Sequence, residues 1–258
     1  MSHNLRSCLS KVLSKLTAFI IVIGSLHFGC NTPPQSFGFL KKGTSGSSVD
    51  PSQAYSPSAS LDPLTERSIN RYGRIIRKYS DQYGFDWRLI LAIMKQESRF
   101  KHTAESYSGA YGLMQIMPVT QLEISERLGV ENTTTPYNNI RAGIFHLRTL
   151  YRVFEGLPED DRLRMSLAAY NAGLSRILDA QDVVRFLGDD PNSWKAVRDA
   201  LPLLSKRYQS LHKSIWEAGM PRGGHFRGWR QTTTYVESII RFYDEYQRVL
   251  PEPVMAGL

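Results

Sequence analysis

One stretch of this chain, residues 87–118, constrains the fold more than any other. It begins with apolar side chains that recur every three or four residues, which predicts one face of an amphipathic helix. These residues are Trp87, Ile90, Leu91 and Met94. Asp86 directly precedes them and is expected to cap the N-terminus of the helix.

Glu97 falls on the same apolar face, at the C-terminal end of the predicted helix. Burial and the negative end of the helix dipole both disfavour a charged carboxylate, so both are expected to raise its pKa. A carboxylic acid that stays protonated near neutral pH can protonate a leaving-group oxygen. The alternative is a glutamate at a helix end that pairs with Lys101 or Arg99.

A short loop of small and polar residues follows the helix. Ser106 and Ser108 supply hydroxyls, and Gly109 and Gly112 allow the backbone to approach another group closely. The apolar run LMQIMP comes next, with the amide of Gln115 in its middle. Because buried amides are usually hydrogen-bonded to a specific partner, this loop predicts the wall of a cleft for a polar substrate.

Two later segments add polar side chains. Tyr170 and Asn171 lie at the end of a helix predicted over residues 160–172. A tyrosine hydroxyl and an amide can hold a carboxyl group or a sugar N-acetyl group. The alternative is that Tyr170 is an aromatic core residue and Asn171 a helix cap. Residues 234–237 have the pattern of a capping box, which places Tyr235 at the start of the last helix.

These segments form a series of blocks: ES at 97–98, SYS at 106–108, GAYGLMQIMP at 109–118, AAYNAG at 168–173 and TTYVESI at 233–239. In this order, the blocks resemble the lytic transglycosylases that have a lysozyme-like, SLT-type catalytic domain. The resemblance covers residues 64–250, and residues 190–250 are most similar to the catalytic domain of the membrane-bound lytic murein transglycosylases of type F. That branch carries a solute-binding-type domain before its catalytic domain, for which we expect no room in this chain of 258 residues.

The resemblance implies a mainly α, lysozyme-like domain over residues 63–250, with at most short β extensions near residues 109–117 and a C-terminal tail at 251–258. It implies an enzyme that cleaves the β-1,4 bond between N-acetylmuramic acid and N-acetylglucosamine in peptidoglycan strands and leaves 1,6-anhydromuramoyl ends. No metal or other cofactor is needed. The implied site consists of Glu97 as acid and then base, Ser106 and Ser108 as hydrogen-bond partners of the acid or of the substrate N-acetyl group, Gln115 for positioning the sugar, Tyr170 and Asn171 in the cleft wall, and Tyr235 orienting Glu97.

Two other functions remain open at this point. A hydrolytic muramidase of goose-type lysozyme character needs a second carboxylate to hold a water molecule, and Glu105 is the candidate. Glu237 is assigned to its capping box instead. A non-catalytic peptidoglycan-binding lipoprotein that has kept the cleft is the second alternative. Partners in envelope machinery are compatible with each function and leave no signal in the sequence.

The N-terminal region predicts export and a lipid anchor. Residues 1–29 combine basic residues with an apolar run over residues 16–26, as a signal peptide does. The run ends before Cys30 and resembles a lipoprotein signal, so an acylated Cys30 is expected to hold the protein on a membrane. Ordinary signal cleavage or an uncleaved anchor are the alternatives. Residues 30–62 are rich in Ser, Pro and Gly and predict a flexible tether, and Asn31 favours the periplasmic face of the outer membrane.

Composition narrows the choice of partners. The net charge is +8 and the isoelectric point is about 9.5, which suits an anionic polymer such as a glycan strand bearing peptide carboxylates. A nucleic acid partner is not expected, because no dense stripe of Lys and Arg is interleaved with aromatic residues. The two cysteines, Cys8 and Cys30, indicate neither a metal site nor a disulfide framework.

Smaller expectations concern the helices around the site. Asn138 or Asn139 is expected to cap a long helix, with His146 on its surface. Residues 219–231 are rich in Gly and basic residues, and form either a mobile surface loop or a loop at the edge of the cleft. Trp194, like Trp216, is either a core residue or a platform for a sugar ring.

Overall fold

A computed structural model describes residues 61–130 and 132–251. The predictions for the signal peptide, for Cys30, and for nearly all of the tether and C-terminal tail lie outside these residues. The helices in chain order are α1 (Pro63–Tyr83), α2 (Trp87–Ser98), α3 (Pro118–Leu128), α4 (Pro136–Val153), α5 (Glu159–Ala172), α6 (Leu174–Leu187), α7 (Trp194–Ala200), α8 (Gln209–Ile215) and α9 (Trp229–Val249). Two 3₁₀ turns, Leu201–Leu204 and Lys206–Tyr208, connect α7 to α8.

Helix α2 lies at the centre of the domain. Every residue from Trp87 to Met94 is buried, and α2 packs against both α1 and α9. A helix that is covered on all sides in this way must carry mostly apolar residues, as this one does. Asp86 accepts a hydrogen bond of 2.8 Å from the backbone N–H of Arg88, and the predicted cap is therefore confirmed.

The boundary between tether and domain lies slightly earlier than predicted. Asp62, which the sequence assigns to the tether, caps α1 by accepting a hydrogen bond of 3.0 Å from the backbone N–H of Thr65. It also forms an ion pair with Lys95 of α2, with 2.9 Å between nitrogen and oxygen. Asp62 therefore belongs to the folded domain.

The predicted cap of α4 is wrong. Helix α4 begins at Pro136, and Thr135 is its N-cap, which accepts a hydrogen bond from the backbone N–H of Asn138. Proline is favoured at the first helical position, because its fixed φ suits the helix and that position needs no N–H donor. Asn139 instead lies inside α4 with none of its surface exposed.

The predicted start of the last helix is also wrong. Helix α9 begins at Trp229, so residues 234–237 lie inside it and form no capping box. The hydroxyl of Thr233 donates 2.9 Å to the carbonyl of Trp229, four residues earlier, as threonine does within a helix. Tyr235 is buried in the second turn, whereas Glu237 is exposed and has no capping role.

The mainly α prediction is confirmed. Within the described residues, extended pairing is limited to isolated bridges between Glu105 and Tyr111 and between Tyr111 and Ile116, close to where short extensions were predicted. Trp194 is a core residue, and Trp216 packs against the core while partly exposed. Over these same residues, no helix combines the length and apolar character that crossing a bilayer requires.

Candidate active site

Glu97 is partly buried in the last turn of α2, where its carboxylate meets α9. The hydroxyl of Tyr235 donates a hydrogen bond to its Oε1 over 2.5 Å. Arg99 adopts a left-handed conformation after the helix and is exposed. Among the described residues, neither Arg99 nor Lys101 forms an ion pair with Glu97, so the alternative of a paired glutamate at a helix end is wrong.

Two opposing influences set the acidity of Glu97. Burial raises its pKa from 4.5 to about 7, while the hydrogen bond from Tyr235 acts in the opposite direction. Burial and the neighbouring carboxylate raise the pKa of both Tyr170 and Tyr235 well above 10, so these hydroxyls keep their protons at neutral pH. The site therefore has a carboxyl group that can give and take a proton near neutral pH, beside a permanent hydrogen-bond donor.

The two predicted serines belong to the loop after α2. The Oγ of Ser106 accepts a hydrogen bond of 3.0 Å from the backbone N–H of Ala110, which closes the loop. Ser108 is exposed at the tip of the loop. Among the described residues, neither serine bonds the carboxylate of Glu97, so the hydroxyl proton of Ser106 and the whole hydroxyl of Ser108 face no protein partner.

Gln115 also holds the loop. Its side-chain NH₂ donates to the carbonyls of Ala104 and Gly112, over 3.0 and 2.9 Å. The residue has a φ of +46°, an uncommon conformation for a side chain other than Gly, Asn or Asp. Both N–H groups of the amide are therefore used within the loop, and its Oε1 has no protein partner among the described residues.

Asn139 is a site residue that sequence reasoning missed. Its Oδ1 accepts 2.8 Å from the backbone N–H of Met114, and its Nδ2 donates 3.0 Å to the carbonyl of Tyr111. A Cβ atom on Gly112 would lie 2.6 Å from this amide, so glycine is required there. The available signal was a polar residue beside the apolar stripe of α4, next to Ile140.

Tyr170 and His146 form the other side of the site. The Tyr170 hydroxyl donates 2.8 Å to the carbonyl of Met114, and the His146 ring lies 5.1 Å from the Tyr170 ring. The prediction that His146 is a surface residue is wrong, because α5 packs over this side of α4. Burial lowers the pKa of His146 to about 4, so its ring is neutral at neutral pH.

Asn171 connects the end of α5 to the first turn of α9. The Oδ1 of Asn171 accepts 2.8 Å from the hydroxyl of Thr232, one turn before Tyr235 on α9. The structure thus brings Glu97, Tyr170 and Tyr235 together and places Asn171 beside them. In the part of the chain that the structure describes, no group of three or more His, Cys, Asp or Glu side chains could hold a metal ion.

The site thus consists of one partly buried acid, held by a tyrosine where two packed helices meet. Residues 74–193 match the family model of the Transglycosylase SLT domain.

Proteins named membrane-bound lytic murein transglycosylase F are similar to about two thirds of this chain. The chain is 36% identical over 178 residues to the membrane-bound lytic murein transglycosylase F of Desulfosudis oleivorans. This alignment covers 68% of this chain and 36% of the relative. It is 37% identical over 182 residues to the membrane-bound lytic murein transglycosylase F 1 of Alkalilimnicola ehrlichii, covering 70% and 34%. The chain therefore spans about a third of the length of these relatives.

Solved structures include similar chains. The 70 kDa soluble lytic transglycosylase of Escherichia coli matches with a TM-score of 0.49 and 24% identity, over 76% of this chain and 27% of that one. The lytic transglycosylase Slt of Pseudomonas aeruginosa matches with a TM-score of 0.45 and 25% identity, over 77% and 28%.

Proposed function

We propose that this chain is a peptidoglycan lytic transglycosylase, which cleaves the β-1,4 bond between N-acetylmuramic acid and N-acetylglucosamine and forms 1,6-anhydromuramoyl ends. The observation that carries the proposal is the carboxyl group of Glu97, which has a pKa of about 7 and accepts a hydrogen bond from Tyr235. The match of residues 74–193 to the Transglycosylase SLT domain model supports the substrate class.

Glu97 acts first as a general acid. Its proton goes to the glycosidic oxygen, the bond between that oxygen and C1 of the muramoyl residue breaks, and N-acetylglucosamine leaves with a free 4-hydroxyl. The carbonyl oxygen of the muramoyl N-acetyl group bonds to C1 and stabilises the cation. An acid with a pKa near the working pH suits this step, because a sufficient fraction is protonated and the proton is readily given up.

Glu97 then acts as a general base. As a carboxylate, it takes the proton from the C6 hydroxyl of the same muramoyl residue, and O6 attacks C1. The bond between C1 and the N-acetyl oxygen breaks, the 1,6-anhydro ring closes, and Glu97 is protonated again. No water is consumed, so a single carboxyl group suffices where a hydrolase of the common type needs two.

The remaining predicted residues take supporting roles. Tyr235 orients the carboxyl group, and Tyr170 holds the loop through the carbonyl of Met114. Three groups are available to hydrogen-bond the N-acetyl and hydroxyl groups of the substrate. These are the hydroxyl proton of Ser106, the hydroxyl of Ser108 and the Nδ2 of Asn171. Gln115 shapes the backbone against which the sugar lies.

A hydrolytic muramidase is the nearest rival. Its second carboxylate would have to be Glu105, which is exposed on the loop rather than held in a buried site. Nothing in the geometry favours this rival, and a product analysis separates the two functions directly.

The test is mass spectrometry of the soluble products from purified peptidoglycan incubated with the chain, with Glu97→Gln and with Glu105→Gln as matched variants. We expect anhydro-muropeptides, lighter by one water than hydrolytic products, from the wild type and Glu105→Gln. Glu97→Gln should lose about 10²–10⁴-fold in rate. Products with reducing ends would identify a hydrolase, and peptidoglycan binding without products would identify a binding protein.

We also propose a location. An acylated Cys30 would hold the chain at the periplasmic face of the outer membrane, within the cell envelope. The name membrane-bound that the relatives carry supports an envelope location. Metabolic labelling with a fatty acid probe tests the anchor: label on the wild type and none on Cys30→Ala is expected, and an unlabelled wild type would contradict it.

A further inference from the structure

A pocket of about 360 Å³ lies at the start of α9. It is bounded by the end of α5, the first turn of α6, the segment before α9 and the first turn of α9. The lining residues that matter here are Asn171, Arg176, His225, Arg227, Gln231 and Thr232. Part of the basic segment 219–231, which the sequence left as either a mobile loop or a cleft edge, therefore forms one wall.

The pocket and the site of Glu97 are built from the same two segments of the chain. Thr232 precedes Tyr235 by one turn of α9, a rise of about 5 Å. Asn171 follows Tyr170 directly, and the hydroxyl of Thr232 donates to its Oδ1 over 2.8 Å. A substrate whose glycosidic oxygen meets Glu97 can thus extend a further group into this pocket.

The charge of the lining is positive. Arg176 and Arg227 contribute two guanidinium groups, and no carboxylate lines the pocket. The acid just outside it, Asp179, is already engaged: its Oδ1 accepts 3.1 Å from Nε of Arg222 and its Oδ2 accepts 2.7 Å from the backbone N–H of Gly223. Among the described residues, neither pocket arginine forms an ion pair with an acidic side chain.

Two buried nitrogen atoms in the pocket wall have no partner. Nε of Arg176 and Nε2 of His225 are both buried and bond nothing among the described residues. Buried polar atoms are rarely left unsatisfied, so each unpaired one needs an explanation. Arg176 is otherwise well fixed: its Nη1 donates 2.6 Å to the carbonyl of Ala172, and its guanidinium lies 5.1 Å from the Phe226 ring.

The remaining polar groups are arranged to complement an acceptor. Because Oδ1 of Asn171 is occupied by Thr232, its Nδ2 is the end without a protein partner among the described residues. The guanidinium groups of Arg176 and Arg227 and this amide NH₂ together suit a carboxylate, which takes charge-assisted hydrogen bonds from such donors.

We propose that this pocket binds a carboxylate of the peptidoglycan strand while Glu97 acts on the neighbouring glycosidic bond. The proposal rests on the proposed function, since it concerns the same substrate. Two carboxylates have this chemistry: those of the peptide stem, and the lactyl carboxylate of muramic acid, which is free only where the peptide is absent. The pocket makes the enzyme sensitive to what the muramoyl residue carries.

The experiment compares two matched substrates. One substrate is glycan strands bearing peptides, and the other is the same strands after an amidase has removed the peptides. Both are incubated with the wild type, Arg176→Gln, the charge-retaining Arg176→Lys and Arg74→Gln. Arg74 is exposed on α1 and does not line the pocket. Thermal unfolding of each variant establishes that it is folded, and kcat/KM is measured on both substrates.

We expect Arg176→Gln to lose about tenfold or more in kcat/KM on one substrate, with Arg176→Lys intermediate and Arg74→Gln unchanged. A loss confined to peptide-bearing strands identifies the stem carboxylate, and a loss confined to stripped strands identifies the lactyl group. Equal kcat/KM for Arg176→Gln and the wild type on both substrates would overturn the proposal.

A binding measurement separates this proposal from the proposed function. Two soluble probes, a disaccharide tetrapeptide and a peptide-free disaccharide whose muramic acid has a free lactyl carboxylate, are titrated into the wild type and Arg176→Gln by calorimetry. Each probe is used in its acid form and with its carboxyl groups converted to amides. Tighter binding of the acid form of either probe, lost in Arg176→Gln, supports the pocket even if the wild type cleaves neither strand. Binding that is equal for the acid and amide forms of both probes and for both proteins contradicts it, whatever the enzyme cleaves.

Discussion

The hydroxyl of Tyr235 lies 2.5 Å from Oε1 of Glu97, although 138 positions separate the two residues in the chain. Helices α2 and α9 pack against each other and bring the pair together. Burial favours the protonated acid, while this hydrogen bond favours the carboxylate. The pair therefore holds an acid close to the midpoint of its titration near neutral pH.

Replacing Tyr235 with Phe is expected to move the alkaline limb of the pH–rate profile to higher pH. The hydrogen bond lowers the pKa of Glu97, so its loss leaves burial unopposed and raises the pKa further. The wild-type rate should fall as pH rises through about 7, because the acid must be protonated. The measurement is kcat/KM against pH on peptidoglycan.

Tyr243→Phe is the matched control. It lies on the same helix, and its substitution removes a hydrogen bond of 3.0 Å to Asp86 rather than one to Glu97. Its alkaline limb should coincide with that of the wild type. An identical limb in Tyr235→Phe and the wild type would show that the tyrosine does not tune the acid.

Glu97→Gln is expected to be more stable than the wild type above pH 7. The pKa of Glu97 is raised from 4.5 to about 7 in the folded state, so the folded state holds the proton longer than the unfolded state. The contribution of protonated Glu97 to the stability of the wild type is then fully present below pH 4.5 and is lost as pH rises through about 7. Since one pKa unit corresponds to about 1.4 kcal/mol, the free energies of unfolding should diverge by about 3 kcal/mol between pH 4 and pH 8.

Urea unfolding at both pH values measures this difference, and Glu237→Gln serves as the control. Glu237 is exposed on α9, so its substitution should change the free energy of unfolding by nearly the same amount at pH 4 and pH 8. A difference between Glu97→Gln and the wild type that does not depend on pH would contradict the raised pKa.

Local features of this fold could be predicted, because they depend on neighbours in the sequence. The apolar spacing from Trp87 to Met94 identifies α2, and Asp86 directly before it indicates the cap. The position of Glu97 on the apolar face predicts its raised pKa. The start of α9 could not be placed in this way. Trp229 packs against the core, and this tertiary contact extends the helix beyond the capping pattern at residues 234–237.

The contacts across the site depend on packing between distant segments. Asn139 and Met114 are 25 positions apart, and Tyr170 and Met114 are 56 apart. No spacing rule within one helix indicates either pair. His146 lies outside the apolar stripe of α4 but becomes partly buried because α5 covers it, so amphipathic periodicity alone assigned it to the surface.

Asn139→Ala is expected to destabilise the domain by about 2–4 kcal/mol. It removes two hydrogen bonds and leaves the buried N–H of Met114 without a partner, while the carbonyl of Tyr111 keeps the hydrogen bond from the backbone N–H of Ile116. The neighbouring Asn138→Ala should cost only about 0.5–1 kcal/mol, since its one side-chain bond, to the carbonyl of Asn132, is exposed. Urea unfolding measures both, and equal losses would mean that Asn139 does not clamp the loop.

The same substitution at two helical glycines is expected to have opposite effects. A Cβ on Gly143 of α4 would lie 2.6 Å from the buried side chain of Met114, so Gly143→Ala should cost about 1–3 kcal/mol and disturb the loop beside Glu97. A Cβ on Gly73 of α1 would meet only the far end of Arg77 at 3.0 Å and Ile69 at 3.5 Å. That guanidinium lies 4.2 Å from the Trp87 ring and needs to shift by only a few tenths of an ångström, so Gly73→Ala should stabilise α1 by about 0.5–1 kcal/mol. Thermal unfolding with activity assays measures both variants; a Gly143→Ala protein with wild-type stability and rate would show that the loop tolerates displacement of Met114.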